Sequence, residues 1–235
     1  MSFIGLNSFI IARIDPVTHT VITDEAQGGL TGNMGAQAPG VFSVNLSSSA
    51  GATKANISNL QGSVKKTYGS NAVARAAAGT PEPTVALAAN NIPFDVLAKI
   101  TGMKSDGKGG YYRDTAPEVN HCALLISSNA WNGVQRYVGF YDGTVTMGNT
   151  NIQTNDASEK ITADELTFTA LGVDAQVGES STLGTSVSGV GVTAPTATGN
   201  NVMVYGMWDS SAKGFDYNAM IANVFKQTSA AVKKD

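Results

Sequence analysis

Short apolar or alternating runs, rather than helical periods, dominate the hydrophobic pattern of this chain. Residues 121–127 are almost wholly apolar, as expected of a strand that is covered on both faces. The pair Asn132-Gly133 is a strong signal for a two-residue hairpin, and it leads into a second strand at residues 134–141. Further strands are predicted at residues 41–46, 84–88, 145–147, 166–171 and 202–208.

The N-terminal region predicts another hairpin. Residues 8–14 and 17–23 are rich in β-branched residues, and the turn signal Asp15-Pro16 separates them. We therefore expect these two segments to pair with each other as antiparallel strands. The glycine-rich stretch at residues 28–40 is expected to be a loop, since a nucleotide-binding loop would need a helix to follow it.

Two segments carry a helical pattern. Residues 91–102 have Pro93 in the first turn and a glycine at the end, which are typical start and stop signals. Residues 216–226 place apolar side chains at helical spacing after Asp216, a favourable capping residue. The whole pattern predicts a mainly β (α+β) fold, in which two packed antiparallel sheets, a sandwich or barrel, carry a flanking helix and a C-terminal helix.

Two long segments are too poor in apolar residues to form cores of their own. Residues 47–83 are predicted to be a long arm that reaches out from the body, and residues 174–200 a low-complexity excursion of Gly, Ser, Thr and Val. Residues 228–235 are expected to be a loose tail. We interpret residues 1–235 as a single domain with these extensions.

Composition favours a protein whose surface is covered by neighbours. Charged residues make up 14% of the chain and the formal net charge is -3, whereas ordinary soluble domains carry roughly 25% charged residues. So few charges provide little repulsion between copies, and a net acidic chain is not suited to coating DNA. The apolar stretch at residues 9–12 is interrupted by Arg13, so we predict no secretion signal and no membrane span, and synthesis in the cytoplasm.

The residue types that carry catalysis are few and form no known motif. The two histidines, His19 and His121, lie far apart in the sequence. Cys122 is the lone cysteine and adjoins His121, but neighbouring residues on a strand point to opposite faces, so both are predicted to be structural. The acidic pair Asp164-Glu165 has no predicted carboxylate partner across a cleft. We therefore predict no catalytic residue, no cofactor and no metal site.

Residues 93–171 contain a distinctive order of motifs. A helix that ends at Gly102 precedes an Asp-Gly-Lys-Gly-Gly turn and a tyrosine-rich strand, and the apolar strand at residues 121–127 follows. The most telling part is the asparagine-glycine turn followed by Arg-Tyr-Val and an aromatic pair at residues 136–141. This order resembles the major tail (tail tube) proteins of long-tailed bacteriophages that infect Gram-positive hosts.

The resemblance implies a structural virion protein rather than an enzyme. By that resemblance, six copies form a ring, and rings stack into a tail tube that conducts DNA without binding it specifically. Assembly partners would be other copies of the chain, the tape-measure protein, the tail terminator and the distal tail or baseplate proteins. The long arm would reach the neighbouring ring, where its basic side chains could dock on an acidic face. The candidate contact residues between subunits are Lys54, Lys65, Lys66, Tyr68 and Arg75.

Two other functions also fit the sequence. The inner tube of a contractile tail or injection machine shares the fold that the resemblance implies. From a different class, a carbohydrate-binding or adhesin-like β-sandwich also tolerates low charge and richness in Ser, Thr and Gly. Such a module would normally carry a secretion signal and exposed aromatic side chains. Rings or tubes of purified protein would favour the tail-tube interpretation.

Overall fold

The computed structural model describes residues 3–115, 119–148, 150, 152, 154, 162–174 and 202–226. Two predicted segments lie outside the described residues: the tail at residues 228–235, and the excursion at residues 174–200 except for its first residue. The α-helices are α1 (Leu46–Ser49), α2 (Phe94–Ile100) and α3 (Tyr217–Phe225). The strands are β1 (Ile4–Ile14), β2 (Val41–Val44), β3 (Ala52–Ser58), β4 (Val64–Gly69), β5 (Ala72–Ala78), β6 (Thr84–Ala89), β7 (Lys104–Ser105), β8 (Tyr111–Tyr112), β9 (His121–Asn129), β10 (Gln135–Phe140), β11 (Gly143–Met147), β12 (Asp164–Ala170), β13 (Val173–Asp174), β14 (Val202–Met203) and β15 (Tyr205–Asp209).

Nine strands form one antiparallel ladder in two parts. The first part, which we call the helix-covered layer, has the order β2-β1-β9-β10-β15. The second part, the open layer, has the order β11-β12-β6-β3. A single residue pair, Thr144 with His121, joins β11 to β9. Phe140 of one layer packs against Phe168 of the other, with ring centroids 5.7 Å apart, so the two layers share a core and the predicted mainly β fold is confirmed.

The alternation of side chains along β12 and β9 decides which faces are buried. Leu166, Phe168 and Ala170 of β12 are buried and Glu165 is exposed, as the alternating pattern predicts. β9 is buried on both faces, as its continuous apolar run predicts. Its even-numbered apolar side chains enter the core between the layers, and its odd-numbered ones face α3.

The C-terminal helix covers the outer face of the helix-covered layer. Asp216 begins it by accepting hydrogen bonds from the amides of Asn218 and Ala219, and its four buried apolar side chains pack in one cluster with β1, β9 and β10. Gly139 of β10 makes room for this contact, because a Cβ there would lie 2.8 Å from Cγ2 of Val224. The predicted C-terminal helix is therefore observed, and so is the flanking helix, as the shorter α2.

The predicted N-terminal hairpin is wrong. β1 pairs with β9 over its whole length and with β2, whereas residues 17–23 contribute a single bridge between Ile14 and Val21. The turn itself does form, since the Asp15 carboxylate accepts hydrogen bonds from the amides of Val17 and Thr18. β9 is the stronger partner because it offers β1 a long apolar strand that is buried on both sides.

The arm begins later in the chain than the sequence predicts. Residues 46–49 form α1, and β3 pairs with β6 inside the open layer. The part that leaves the body is residues 59–83, which contain the hairpin of β4 and β5.

The glycine-rich segment closes one edge of the sheet. Asn33 accepts a hydrogen bond from the Ser43 amide at 2.7 Å and donates one to the Ser43 carbonyl at 2.9 Å. A side-chain amide thereby takes the place of a further strand beside β2. Such protection removes a pairing edge that would otherwise attract another chain.

Candidate assembly surfaces

The hairpin of β4 and β5, which we call the arm hairpin, stands away from the body. Its strands pair only with each other, and every residue of both strands is exposed. Ser70 and Asn71 form its turn with positive φ angles of 50° and 61°, as a two-residue hairpin loop requires. Tyr68 near the tip is 69% exposed and Val64 is 59% exposed, and contiguous exposed apolar side chains often mark an interaction site.

The pairing register divides the arm hairpin into two faces. Residues directly opposite each other in a ladder lie on the same face, and neighbours along a strand lie on opposite faces. Tyr68 pairs with Val73 and Lys66 with Ala76, so these side chains share an apolar face with Val64. The other face is cationic, because it carries Lys65 and, opposite Thr67, Arg75. A register shift between Thr67 and Tyr68 puts Arg75 and Val73 on different faces although they are only two residues apart.

The structure separates the five predicted contact residues into three groups. Lys65 and Arg75 lie on the cationic face of the arm hairpin, and Lys66 and Tyr68 lie on its apolar face. Lys54 is not on the arm hairpin, since it belongs to β3 in the open layer. A single acidic surface on a neighbour therefore cannot bind Lys65 and Lys66 together while the hairpin is intact.

The outer face of the open layer carries small and mostly uncharged side chains. Lys54 and Glu165 are the charged members of this set, and both lie beside Ala88, on opposite sides of it. Two strand spacings, about 10 Å, separate them. The remaining members are Asn56, Ser58, Thr84, Ala86, Thr144, Thr146, Thr167 and Thr169.

An apolar notch of about 230 Å³ opens between β1 and β3. These two strands lie side by side without pairing. The Ser128 hydroxyl in its wall already donates to the Gly5 carbonyl at 2.7 Å, and Phe3 at the N-terminal end of β1 is 45% exposed. The other lining residues are Leu6, Ala55, Ile57, Ile126 and Val138.

The two histidines meet at one buried carboxylate, which the sequence did not predict. Asp142, only 2% exposed, lies 2.9 Å from Nδ1 of His121 and 3.3 Å from Nδ1 of His19. A carboxylate oxygen accepts hydrogen bonds, so the His121 tautomer that fits this contact has its proton on Nδ1. Asp142 lies in the turn between β10 and β11 and joins the start of β9 to the loop after β1. Burial lowers the pKa of Lys226, and the charge of Asp142 acts against that shift.

The other residues considered for chemistry are structural in the described part of the chain. Cys122 is fully buried, and burial raises the pKa of its thiol to about 12, so the thiolate nucleophile is suppressed. Asp164 accepts a hydrogen bond from the Ile92 amide at 2.7 Å, while its neighbour Glu165 points to the opposite face of β12. These two carboxylates do not converge on one site.

Comparison with known proteins decides the family. A family model described as "Phage tail tube protein" matches residues 1–233. The chain belongs to this family. No curated protein matches it.

Family membership gives this chain a structural role. Phage tail tube proteins assemble with copies of themselves into the tube of the tail and associate with other tail components. The chain is thus a structural component of the virion tail, as the motif order in residues 93–171 predicts. Among the described residues, no group of three or more His, Cys, Asp or Glu side chains could hold a metal ion. In the same part of the chain, no helix has both the length and the apolar character needed to cross a bilayer.

Proposed function

We propose that six copies of this chain form a ring, that rings stack into the tail tube, and that the open layer lines the channel through which DNA passes. The number six comes from the family resemblance of residues 93–171. The main support for this proposal is the chemistry of the outer face of the open layer, which consists of short, mostly uncharged side chains.

A DNA channel must let phosphates pass without holding them. Contacts between phosphates and Lys or Arg supply most of the nonspecific affinity of proteins for DNA. Lys54 is the one cation among the described side chains of this face, and Glu165 lies on the same row. The charges of these two side chains offset each other, so the lining offers DNA no basic stripe. The layer covered by α3 would then face the outside of the tube.

The arm hairpin supplies the contacts between adjoining rings in this proposal. An isolated two-stranded hairpin is marginally stable in water, so its exposed apolar face gains stability when a neighbour covers it. Lys65, Lys66, Tyr68 and Arg75 are the proposed contact residues on the arm hairpin, and Lys54 is assigned to the channel lining instead.

The proposed partners are those of a passive conduit. They are further copies of the chain, the tape-measure protein, the tail terminator and the distal tail or baseplate proteins, with DNA passing transiently. Assembly would take place in the cytoplasm of a Gram-positive host. The chain would need no cofactor and carry out no catalytic step, since passage of DNA involves no bond chemistry in the protein.

Negative-stain imaging of the purified protein tests assembly directly. Rings or tubes of uniform diameter are expected, and a chain that stays monomeric at every concentration would overturn the proposal. A sheath protein that co-purifies with the tubes would identify the inner tube of a contractile tail, which is the alternative within the same structural class.

The channel lining is tested by adding a charge to it. Thr169→Arg places a cation at an exposed position of the open face, and Thr169→Gln is the matched neutral control. Phage particles carrying Thr169→Arg should form tubes of normal diameter but eject DNA more slowly, with the defect relieved by added salt. Equal ejection rates for the two variants would place this face outside the channel.

A further inference from the structure

The notch between β1 and β3 has the properties of a receptor for one apolar side chain. Its volume of about 230 Å³ is far larger than the space that one water needs and leaves room for one large side chain. Its wall offers no free hydrogen-bonding side chain, since the Ser128 hydroxyl is already bound to the Gly5 carbonyl. Water in such a site has few partners, so an apolar occupant is favoured.

The arm hairpin carries a side chain that fits this description. Tyr68 is 69% exposed near the tip, and it projects from the apolar face together with Val73. A tyrosine provides a large apolar surface, and its hydroxyl can stay at a wet rim. None of the described lining residues is a carboxylate, so Lys66 beside Tyr68 would lie at the rim of the notch rather than inside it.

A copy cannot fill its own notch while its arm hairpin is intact. The notch residue Ile57 lies at the end of β3, and the chain leaves for the arm directly after Ser58. Tyr68 lies ten residues further along, and an extended chain advances about 3.3 Å per residue. Every residue of β4 and β5 is exposed, which shows that the hairpin does not fold back onto the body. A Tyr68 side chain that fills the notch would therefore come from a second copy.

We infer that Tyr68 of one copy inserts into the β1–β3 notch of a second copy and fixes the register between adjoining rings. This inference rests on the proposed function and adds the identity of both contact surfaces. The contact is apolar, so its strength is insensitive to salt. A contact made through Lys65 and Arg75 would instead weaken as salt is added.

Cross-linking between variants that each carry one introduced cysteine tests the inference. Cys122 is fully buried, and burial raises the pKa of its thiol to about 12. It should therefore not react with maleimides in the folded protein. Tyr68→Cys and Phe3→Cys proteins are mixed, assembled and treated with a short bismaleimide. A dimer that joins the two variants is expected. Thr67→Cys, whose side chain points to the opposite hairpin face, is the matched control and should cross-link to Phe3→Cys much less.

A second measurement keeps the inference testable if a cysteine prevents assembly. Tyr68→Ala should raise the critical concentration for tube formation at least about tenfold, as expected for the loss of a central aromatic anchor. Tyr68→Phe should leave it unchanged, and the ratio of the Tyr68→Ala value to the value of the unmodified chain should be the same at low and high salt. Tubes that form normally with Tyr68→Ala, or cross-links equal to those of the Thr67→Cys control, would overturn the inference and leave the tube itself established. Failure of the unmodified chain to form tubes would instead overturn the proposed function.

Discussion

Replacing Asp142 tests whether the buried carboxylate ties the two histidine-bearing segments together. Asp142→Ala removes a side chain that accepts a hydrogen bond from His121 at 2.9 Å and lies 3.3 Å from His19. A hydrogen bond to a charged group contributes about 1.5–3 kcal/mol. The His19 contact adds at most about 1 kcal/mol, because its Nδ1 lies 3.3 Å from the carboxylate without hydrogen-bond geometry.

The expected loss in the free energy of unfolding is therefore about 3 kcal/mol. That is a large share of the roughly 5–15 kcal/mol that stabilises a typical domain. Urea unfolding at pH 7, at a protein concentration too low for ring formation, measures it. His121→Ala should lower the free energy of unfolding by about 2 kcal/mol, and His19→Ala should lower it by less than about 1 kcal/mol.

Double-mutant cycles separate the two histidines. The coupling energy of Asp142 with His121 should exceed that with His19, because only the His121 contact has hydrogen-bond geometry. A loss below about 0.5 kcal/mol for Asp142→Ala, the level of an ordinary surface substitution, would refute the reasoning. Equal coupling to both histidines would do the same.

Three further predictions follow from packing, burial and charge. Gly139→Ala should lower the thermal midpoint of unfolding and loosen the packing of α3, because the new Cβ would lie 2.9 Å from the Trp208 ring. Near-ultraviolet circular dichroism of the tryptophan reports this change, and an unaltered spectrum would contradict the prediction. Cys122 should react with a maleimide only after unfolding, since burial raises the pKa of its thiol to about 12; mass spectrometry across a urea series measures this, and labelling of the native protein would count against it. Hydrogen bonds from Ser211 and then Arg136 lower the pKa of Asp209 to about 2, so the stability that Asp209 contributes is present above about pH 4 and lost as the pH falls toward 2. In Arg136→Ala this acid loss should be smaller and should end at a higher pH, because the pKa of Asp209 in the folded protein moves back toward its ordinary value; identical acid-unfolding curves would disprove the assignment.

Local patterns in the sequence determined most of the body of this protein. The side-chain period of a strand or helix is set locally, so local patterns predict which faces are buried. This holds for the continuous apolar run of β9, for the alternation of Leu166, Phe168 and Ala170, and for the spacing of apolar residues in α3. The Asn132-Gly133 pair correctly marks a turn, but the predicted two-residue loop is wrong: the Ala130 amide donates to the Val134 carbonyl across three residues. Gly133 alone among these three has a positive φ, of 76°, which glycine tolerates. The motif order of residues 93–171 was enough to indicate the family.

The tertiary structure alone decided which segments meet. Residues 17–23 have strand-forming side chains, yet β9 takes their place beside β1 because it buries more apolar surface there. The approach of His19 and His121 to Asp142 depends on three segments that are distant in the chain, and no local pattern records such a contact. The faces of the arm hairpin follow from its register, and a one-residue shift would exchange Lys65 and Lys66. Composition predicted the residue types of the assembly surfaces, whereas strand pairing set their positions.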